Sequence, residues 1–500
     1  MKSRIWITSL FASILIIGGC SSSKSEPDDN MDHSNMSHDD MKMEEADSQT
    51  ENGHMSHTNP LALTDSIGEN ELALPALLEP EKEKGNVYNI VAQKGTVEFF
   101  DGYQTETLGY NGSFLGPVIR VNRGDTVKFR TVNDLSEETT FHWHGLDLPG
   151  EGDGGPHKSI KPGKSEIVEF TVDQQAATLW FHPHPEGKTS EQFYKGLAGL
   201  IYVEDENSKN LGLPSDYGVN DIPLIFQDRQ FDGGKQLNYQ RFKNDDGTIG
   251  DTLLVNGTLN PKLTISKEKV RLRLLNGSNA RNYTFKLNTG DSFEQIATDG
   301  GFLNTPETMN EITLTPGERA EVIVDFSKYD ATSNVALINE DNTILLPFKI
   351  NEVGTETSDM PQNMNDFAVT DEERSLPVSK KLELFGMGNM VTINGKRFDM
   401  NRIDFTQKQS ETEIWEIYNK PDMMGGMVHP FHIHGTQFKI VSIDGKEPPV
   451  NEQGWKDTIA IEPGETFKLA IKFNNKGIYM YHCHILEHED NGMMGQVLVE

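Results

Sequence analysis

Four pairs of the form His-x-His stand toward the two ends of this 500-residue chain: His142/His144, His182/His184, His432/His434 and His482/His484. On a β-strand residues i and i+2 project to one face, so each pair presents two imidazoles in the same direction. Eight imidazoles exceed what one four-coordinate zinc needs and would serve three metal ions. The distribution points the same way. Of 15 histidines, four precede Pro60, none lies between Pro185 and Val428, and among the other eleven only His157 falls outside the pairs and the singles His429 and His488. Histidines scattered as core or surface residues would not leave so long a vacancy beside such dense clusters.

Cys483 sits between His482 and His484, and strand alternation sends its sulfur to the opposite side from the neighbouring rings. His488 follows five residues on, Met493 a further five, and His429 precedes the third pair. Two imidazoles, one thiolate and a weak axial thioether are the ligand set of a blue-copper electron-transfer site. A structural zinc would leave the thioether and the eight other imidazoles without a use. Because Cys483 is peptide-linked to two members of the histidine cluster, bond lengths give a covalent electron route of roughly 10–13 Å between the centres.

These side chains need strands to hold them, and the chain after Val87 supplies short alternating apolar runs broken by Gly, Pro, Asn and Asp. One unit recurs. Pro162-Gly163, Pro316-Gly317 and Pro463-Gly464 each mark a turn, followed by Val168/Phe170/Val172, Val322/Val324/Phe326 and Leu469/Ile471/Phe473 at period two. Three homologous β-sandwiches are expected, over residues 83–208, 209–350 and 381–500, with 351–380 as a linker. Two histidine pairs belong to the first sandwich and two to the third, so those two must touch face to face. The second holds no histidine.

Ahead of the sandwiches, Lys2 and Arg4 precede an apolar run from Ile5 to Ile17, then Ile17-Gly18-Gly19-Cys20. The order matches a secretory signal over residues 1–19, and the approach to Cys20 resembles the lipobox of bacterial lipoproteins. Residues 20–82 are expected as a disordered tether. Between Ser21 and Pro60 there is no Val, Ile, Leu, Phe, Tyr or Trp, and ten acids face two bases, too little apolar area to offset ordering entropy. Met31, His33, Met36, His38, Met41, Met43, His54, Met55 and His57 recur there, a bias that suits copper capture as well as spacing. With Cys20 in the signal, no disulfide scaffold is available. A formal net charge of −32 argues against nucleic acid or acidic lipid as partner and favours cations.

Taken together, His142-Trp143-His144-Gly145, His182-Pro183-His184, His429-Pro430-Phe431-His432-Ile433-His434-Gly435 and His482-Cys483-His484-Ile485-Leu486-Glu487-His488 with Met493 resemble the multicopper oxidases. The likeness is greatest to the three-domain bacterial copper oxidases, through Gly145 to Pro156 and His488-Glu489-Asp490. The resemblance implies an all-β fold of three cupredoxin-like Greek-key sandwiches and four copper ions. His429, Cys483, His488 and Met493 would hold the type 1 copper, and His142 and His432 the type 2 copper. His144, His182 and His484 would hold one type 3 copper, and His184, His434 and His482 the other. Asp153 and Glu489 match the family's proton-relay carboxylates.

The implied activity takes single electrons from a donor and reduces O2 to water; Cu(I), a phenol or Fe(II) are the candidate donors. Asp422, Met423, Met424 and Met427, just ahead of His429, favour Cu(I). The segment 351–386, where the relatives often carry a methionine-rich insert, holds only Met360 and Met364, with Met387 and Met390 as its remnant. The expected setting is the outer face of the bacterial membrane, anchored by a lipid on Cys20, as a monomer. A copper-sequestering lipoprotein without catalysis is the competing reading.

Overall fold

A buried asparagine closes the same loop three times. The computed structural model describes residues 60–62, 67–239, 247–352, 354, 359–423 and 425–500. In it Asn133, Asn276 and Asn419 end the strands Thr126–Asn133, Lys269–Asn276 and Thr412–Asn419. Their main-chain oxygens accept the N–H of Gly163, Gly317 and Gly464 at 2.8, 3.0 and 2.8 Å. Each side-chain amide donates to two further carbonyls, of Glu137 and Ile160, Arg281 and Leu314, or Met427 and Ile461. The three glycines have φ of +71°, +88° and +90°, a region that a side chain strains. The strands Ser165–Thr171, Arg319–Asp325 and Thr466–Lys472 begin two residues later. The repeated turn and strand read from the sequence is therefore present in all three segments, tied down by an asparagine that spacing had not singled out.

Each repeat belongs to a two-sheet sandwich. In the first, Leu77–Leu78, Val118–Asn122, Gly199–Glu204, Ala177–His182 and His142–His144 form one sheet, and Tyr103–Tyr110, Val87–Phe100, Thr126–Asn133 and Ser165–Thr171 the other. Ile90, Phe129, Trp143, Leu179 and Phe181 fill the space between them. The second sandwich pairs a six-stranded with a seven-stranded sheet, and the third two five-stranded sheets. Along Thr126–Asn133 every second residue is buried, the signature of a strand with one face on a core. Among the described residues α-helices do not exceed six residues, so the fold is all-β as expected.

The first and third sandwiches meet. Gly150 N–H donates to Lys476 O at 3.0 Å, Tyr479 Oη–H donates to Leu148 O at 2.9 Å, and Asn475 Nδ2 donates to Asp147 Oδ1 at 2.8 Å. His157, the histidine outside every cluster, spends its ring here, with Nε2 2.7 Å from Gln496 Oε1.

Two expected boundaries are corrected. The tether does not extend to residue 82: Asn70–Glu71 pairs in parallel with Pro261–Ser266, Leu77–Leu78 pairs with Val118–Asn122, and Leu61 and Leu72 enter the core of the second sandwich. Leucines between 61 and 78 give this stretch the apolar area that residues 21–60 lack. Nor is 351–380 a free linker. Met364 is buried against Ile296 and Phe302; Thr370 and Glu373 form a capping box on the helix Asp371–Ser375; and the strand Val378–Phe385 starts inside the segment. The signal-like run, Cys20, the Met/His-rich stretch and Met424 lie outside the described residues. No helix among the described residues is long and apolar enough to cross a membrane.

Candidate metal centre

Strand pairing brings the histidine pairs together two by two. In the first sandwich His142 lies opposite His182, and in the third His432 lies opposite His482. Where the two sandwiches abut, His142 stacks on His434 with ring centroids 3.6 Å apart, and His144 on His432 at 3.7 Å. All eight rings are buried. His184 and His484 lie just past their strand ends, His184 held by its N–H donating to Thr140 Oγ1 at 2.7 Å.

The hydrogen bonds leave lone pairs pointing inward. Burial, reinforced by neighbouring rings, holds His144, His182, His184, His432, His434 and His484 well below the usual imidazole range, and burial takes His482 down to about 3. In these neutral rings one nitrogen bears hydrogen. His434 Nδ1 donates to Asp153 Oδ2 at 2.8 Å, His482 Nδ1 to Cys483 O at 3.0 Å, His432 Nδ1 to Asp457 O at 2.8 Å and His182 Nδ1 to Pro183 O at 2.9 Å. His434 Nε2 and His482 Nε2 then confront each other at 3.1 Å with no hydrogen to share. His144 donates through Nε2, to Asp457 Oδ1 at 2.9 Å, which turns its Nδ1 inward without a partner; His182 Nε2 and both nitrogens of His484 are likewise unpartnered. Convergent lone pairs in a dry site call for a cation, and fixing the tautomer through the outer nitrogen is how proteins orient metal-binding histidines.

The second centre is on the far side of the same strand. Cys483 Sγ lies 3.5 Å from His429 Nδ1 and 3.7 Å from His488 Nδ1. Met493 is buried in the same core, and its carbonyl accepts the Cys483 N–H at 3.1 Å. Burial pushes the Cys483 thiol well up, so its thiolate needs a bound cation to form. Asp153 and Glu489 both border the histidine cluster: Glu489 Oε1 is 3.4 Å from His184 Nε2 and its Oε2 3.4 Å from His482 Nδ1. Burial raises the Glu489 carboxyl well above its usual range. The ten candidate histidines, Cys483 and both acids thus fall at two adjacent buried centres, with Met493 packed in the core beside the second.

Sequence reasoning missed the contribution of the second sandwich. Arg319 extends from it to grip Asp457 with Nη1–Oδ1 at 2.7 Å and Nη2–Oδ2 at 2.5 Å, and Asp457 holds His144. A β-carbon on Gly317 would stand 3.0 Å from the His484 ring. A domain without histidine carried no metal signal, and nothing in Trp455-Lys456-Asp457-Thr458 marks Asp457 as a histidine partner.

Family models described as multicopper oxidase match residues 91–208, 221–345 and 371–500. A multicopper oxidase of Staphylococcus haemolyticus is 50% identical over 89% of this chain and 95% of its own length. The crystal structure of a laccase from Pediococcus acidilactici superposes with a TM-score of 0.84 at 43% identity, covering 88% of this chain and 95% of that one. The cell division protein FtsP of Photorhabdus laumondii is 36% identical over 85% of this chain and 92% of its own length. The chain belongs to the multicopper oxidases, and as such it is an oxidoreductase that uses O2 and an electron donor.

Copper, which the family implies, fits these residues. The inward nitrogens are borderline donors and the Cys483 sulfur a soft one, a combination that suits copper. The unpartnered Nδ1 of His144 and Nε2 of His182 are the atoms a bound ion would satisfy.

Proposed function

We propose that the chain draws single electrons from a donor at His429, Cys483, His488 and Met493 and delivers four of them, with four protons, to O2 at the histidine cluster, giving two waters. His142 and His432 would hold a type 2 copper; His144, His182 and His484 would hold one type 3 copper, and His184, His434 and His482 the other, four ions in all with the type 1 site. The observation that carries this reading is the 3.1 Å approach of two hydrogen-free nitrogens, His434 Nε2 and His482 Nε2, one residue from the Cys483 thiol. When bound, the coppers supply the one-electron redox steps and the seat for dioxygen. The chain supplies the wiring, through the peptide links of Cys483 to His482 and His484, and the relay that brings protons in from solvent. Glu489 stands between two histidines and a cavity of about 170 Å³ lined by His184, Glu186, Arg397 and Asp490, a position suited to passing protons inward. Asp153 holds the second relay position through His434.

Cu(I) is the proposed donor. Asn491 Nδ2, two residues before Met493, donates to Gly388 O at 3.0 Å, so the turn carrying Met387 and Met390 lies beside the loop that leads to Met493. Met390 is 70% exposed and Met423 wholly so, soft thioethers offered to solvent. Met364 and Met427 instead pack on cores, as methionines commonly do. A phenol-oxidising role is the second reading, favoured by the laccase name of the Pediococcus relative. We further propose export, a lipid anchor at Cys20 and a monomeric state. The test is oxygen consumption by copper-loaded protein offered Cu(I), Fe(II) and a phenol in parallel. Cu(I) should be oxidised fastest; equal, slow rates with all three would remove it as substrate, and no oxygen uptake with any donor would favour a sequestering role.

A further inference from the structure

Arg319 is a guanidinium at which three domains meet, and every one of its donors is engaged. Nε donates to Thr178 O of the first sandwich at 3.0 Å; Nη1 to Gly317 O at 2.9 Å and Asp457 Oδ1 at 2.7 Å; Nη2 to Asp299 O at 3.1 Å and Asp457 Oδ2 at 2.5 Å. Five N–H groups is all a guanidinium has. The side chains of Arg319, Asp299 and Asp457 are wholly buried. The geometry of the other side of Asp457 gives this arrangement a purpose. Its Oδ1 accepts from His144 Nε2 at 2.9 Å and from Thr458 Oγ1 at 2.9 Å, and Thr458 Oγ1 is itself 3.1 Å from His144 Nε2 and 3.2 Å from His432 Nδ1. Asp299 reinforces the frame, taking the Arg319 N–H at 2.7 Å and facing the N–H groups of Asp457 and Thr458 at 3.4 and 3.3 Å.

We propose that Arg319 is a positioning residue for the histidine cluster: from the middle domain it holds Asp457 in the orientation that accepts His144 Nε2–H, and so keeps His144 Nδ1 turned inward as a metal donor. The middle domain thereby governs copper loading although it contributes no ligand. A two-pronged grip on a planar carboxylate is a task for arginine, because the lysine ammonium offers a point charge with three donors and no matching fork. The inference rests on the assignment of His144 as a copper ligand.

The test uses the full chain with Arg319→Gln, Arg319→Lys and His144→Ala, each compared with wild type in copper per chain, release of copper to a chelator, thiolate-to-copper absorption at Cys483, and melting of the copper-free form. Arg319→Gln should lose cluster copper, with release about 10–100-fold faster, the usual effect of removing a residue that orients a metal ligand, while the absorption from Cys483 persists. Arg319→Lys should fall between Arg319→Gln and wild type. Wild-type copper content and release in Arg319→Gln would overturn the proposal, and so would parallel loss of cluster copper, blue absorption and apo-protein stability, which marks a purely structural arginine. If His144→Ala holds as much copper as wild type, it is the ligand assignment that fails, whatever Arg319→Gln does.

Discussion

Asp153 joins the two metal-bearing domains: its Oδ2 lies 2.8 Å from His434 Nδ1 in the third sandwich, while its main-chain oxygen lies 3.1 Å from His142 Nδ1 in the first. The turn requires glycine at the next position, because a β-carbon on Gly154, at φ +78°, would stand 1.8 Å from Phe141 O. One acidic residue thus sets the outer hydrogen bond of two stacked imidazoles and stands where a proton could be handed to the cluster.

Asp153→Asn keeps an oxygen for His434 Nδ1–H and removes the carboxylate. The expected result is oxygen uptake slower by ~10²–10⁴-fold, the usual weight of one general acid or base, with the blue absorption at Cys483 unchanged. Steady-state oxygen consumption and an absorption spectrum check both halves. Loss of colour in step with turnover would make the residue structural.

Cys483→Ser removes the only cysteine among the described residues. The variant should lose the intense blue colour and oxygen uptake with every donor while still binding copper at the histidine cluster, since the side chains of His482 and His484 lie on the other face of the strand. Metal analysis alongside the spectrum decides it. Surviving turnover would show that electrons do not pass through residue 483.

Gly317→Ala and Gly163→Ala form a matched pair. Both glycines have positive φ, +88° and +71°, in equivalent turns, so each substitution should cost about 1–2 kcal/mol in backbone strain. Only at Gly317 does the added carbon reach a candidate ligand, three atoms of the His484 ring at 3.0 Å; at Gly163 nothing lies within 4 Å. Copper content should fall in the first variant and hold in the second, with similar drops in apo-protein melting temperature. Equal copper content would show that the His484 ring can give way.

Removing copper should expose the facing lone pairs of His434 and His482 and lower the melting temperature. Ligand linkage gives about 4 kcal/mol of stabilisation for one site at free copper a thousandfold above its dissociation constant. Differential scanning calorimetry of the chelated and reloaded protein measures the difference, and identical melting curves would mean that the folded state does not hold the metal.

Met423→Leu and Met390→Leu alter side chains that stand in solvent, so stability should move by less than about 0.5 kcal/mol. If Cu(I) docks on thioethers, its KM should rise in the variants while that of a phenol stays put. Parallel kinetics with the two donors separate the cuprous reading from the phenolic one, and unchanged KM for both would take these methionines out of the donor site.

Residue type and spacing by themselves determined the all-β class, the three-fold turn and strand, the gathering of His-x-His pairs from both ends of the chain, and the separate site of Cys483, because strand alternation is a local property that sequence displays directly. The tertiary structure alone decided what surrounds those ligands. Asn133, Asn276 and Asn419 act through loops closed across the sandwich; Leu61 and Leu72 leave the tether for a distant core; and Arg319, Asp299, Asp457 and Gly317 reach the histidines across domain boundaries. A hydrogen bond between residues more than a hundred positions apart follows from how sandwiches pack, and no period or motif along the chain encodes which acid will meet which imidazole.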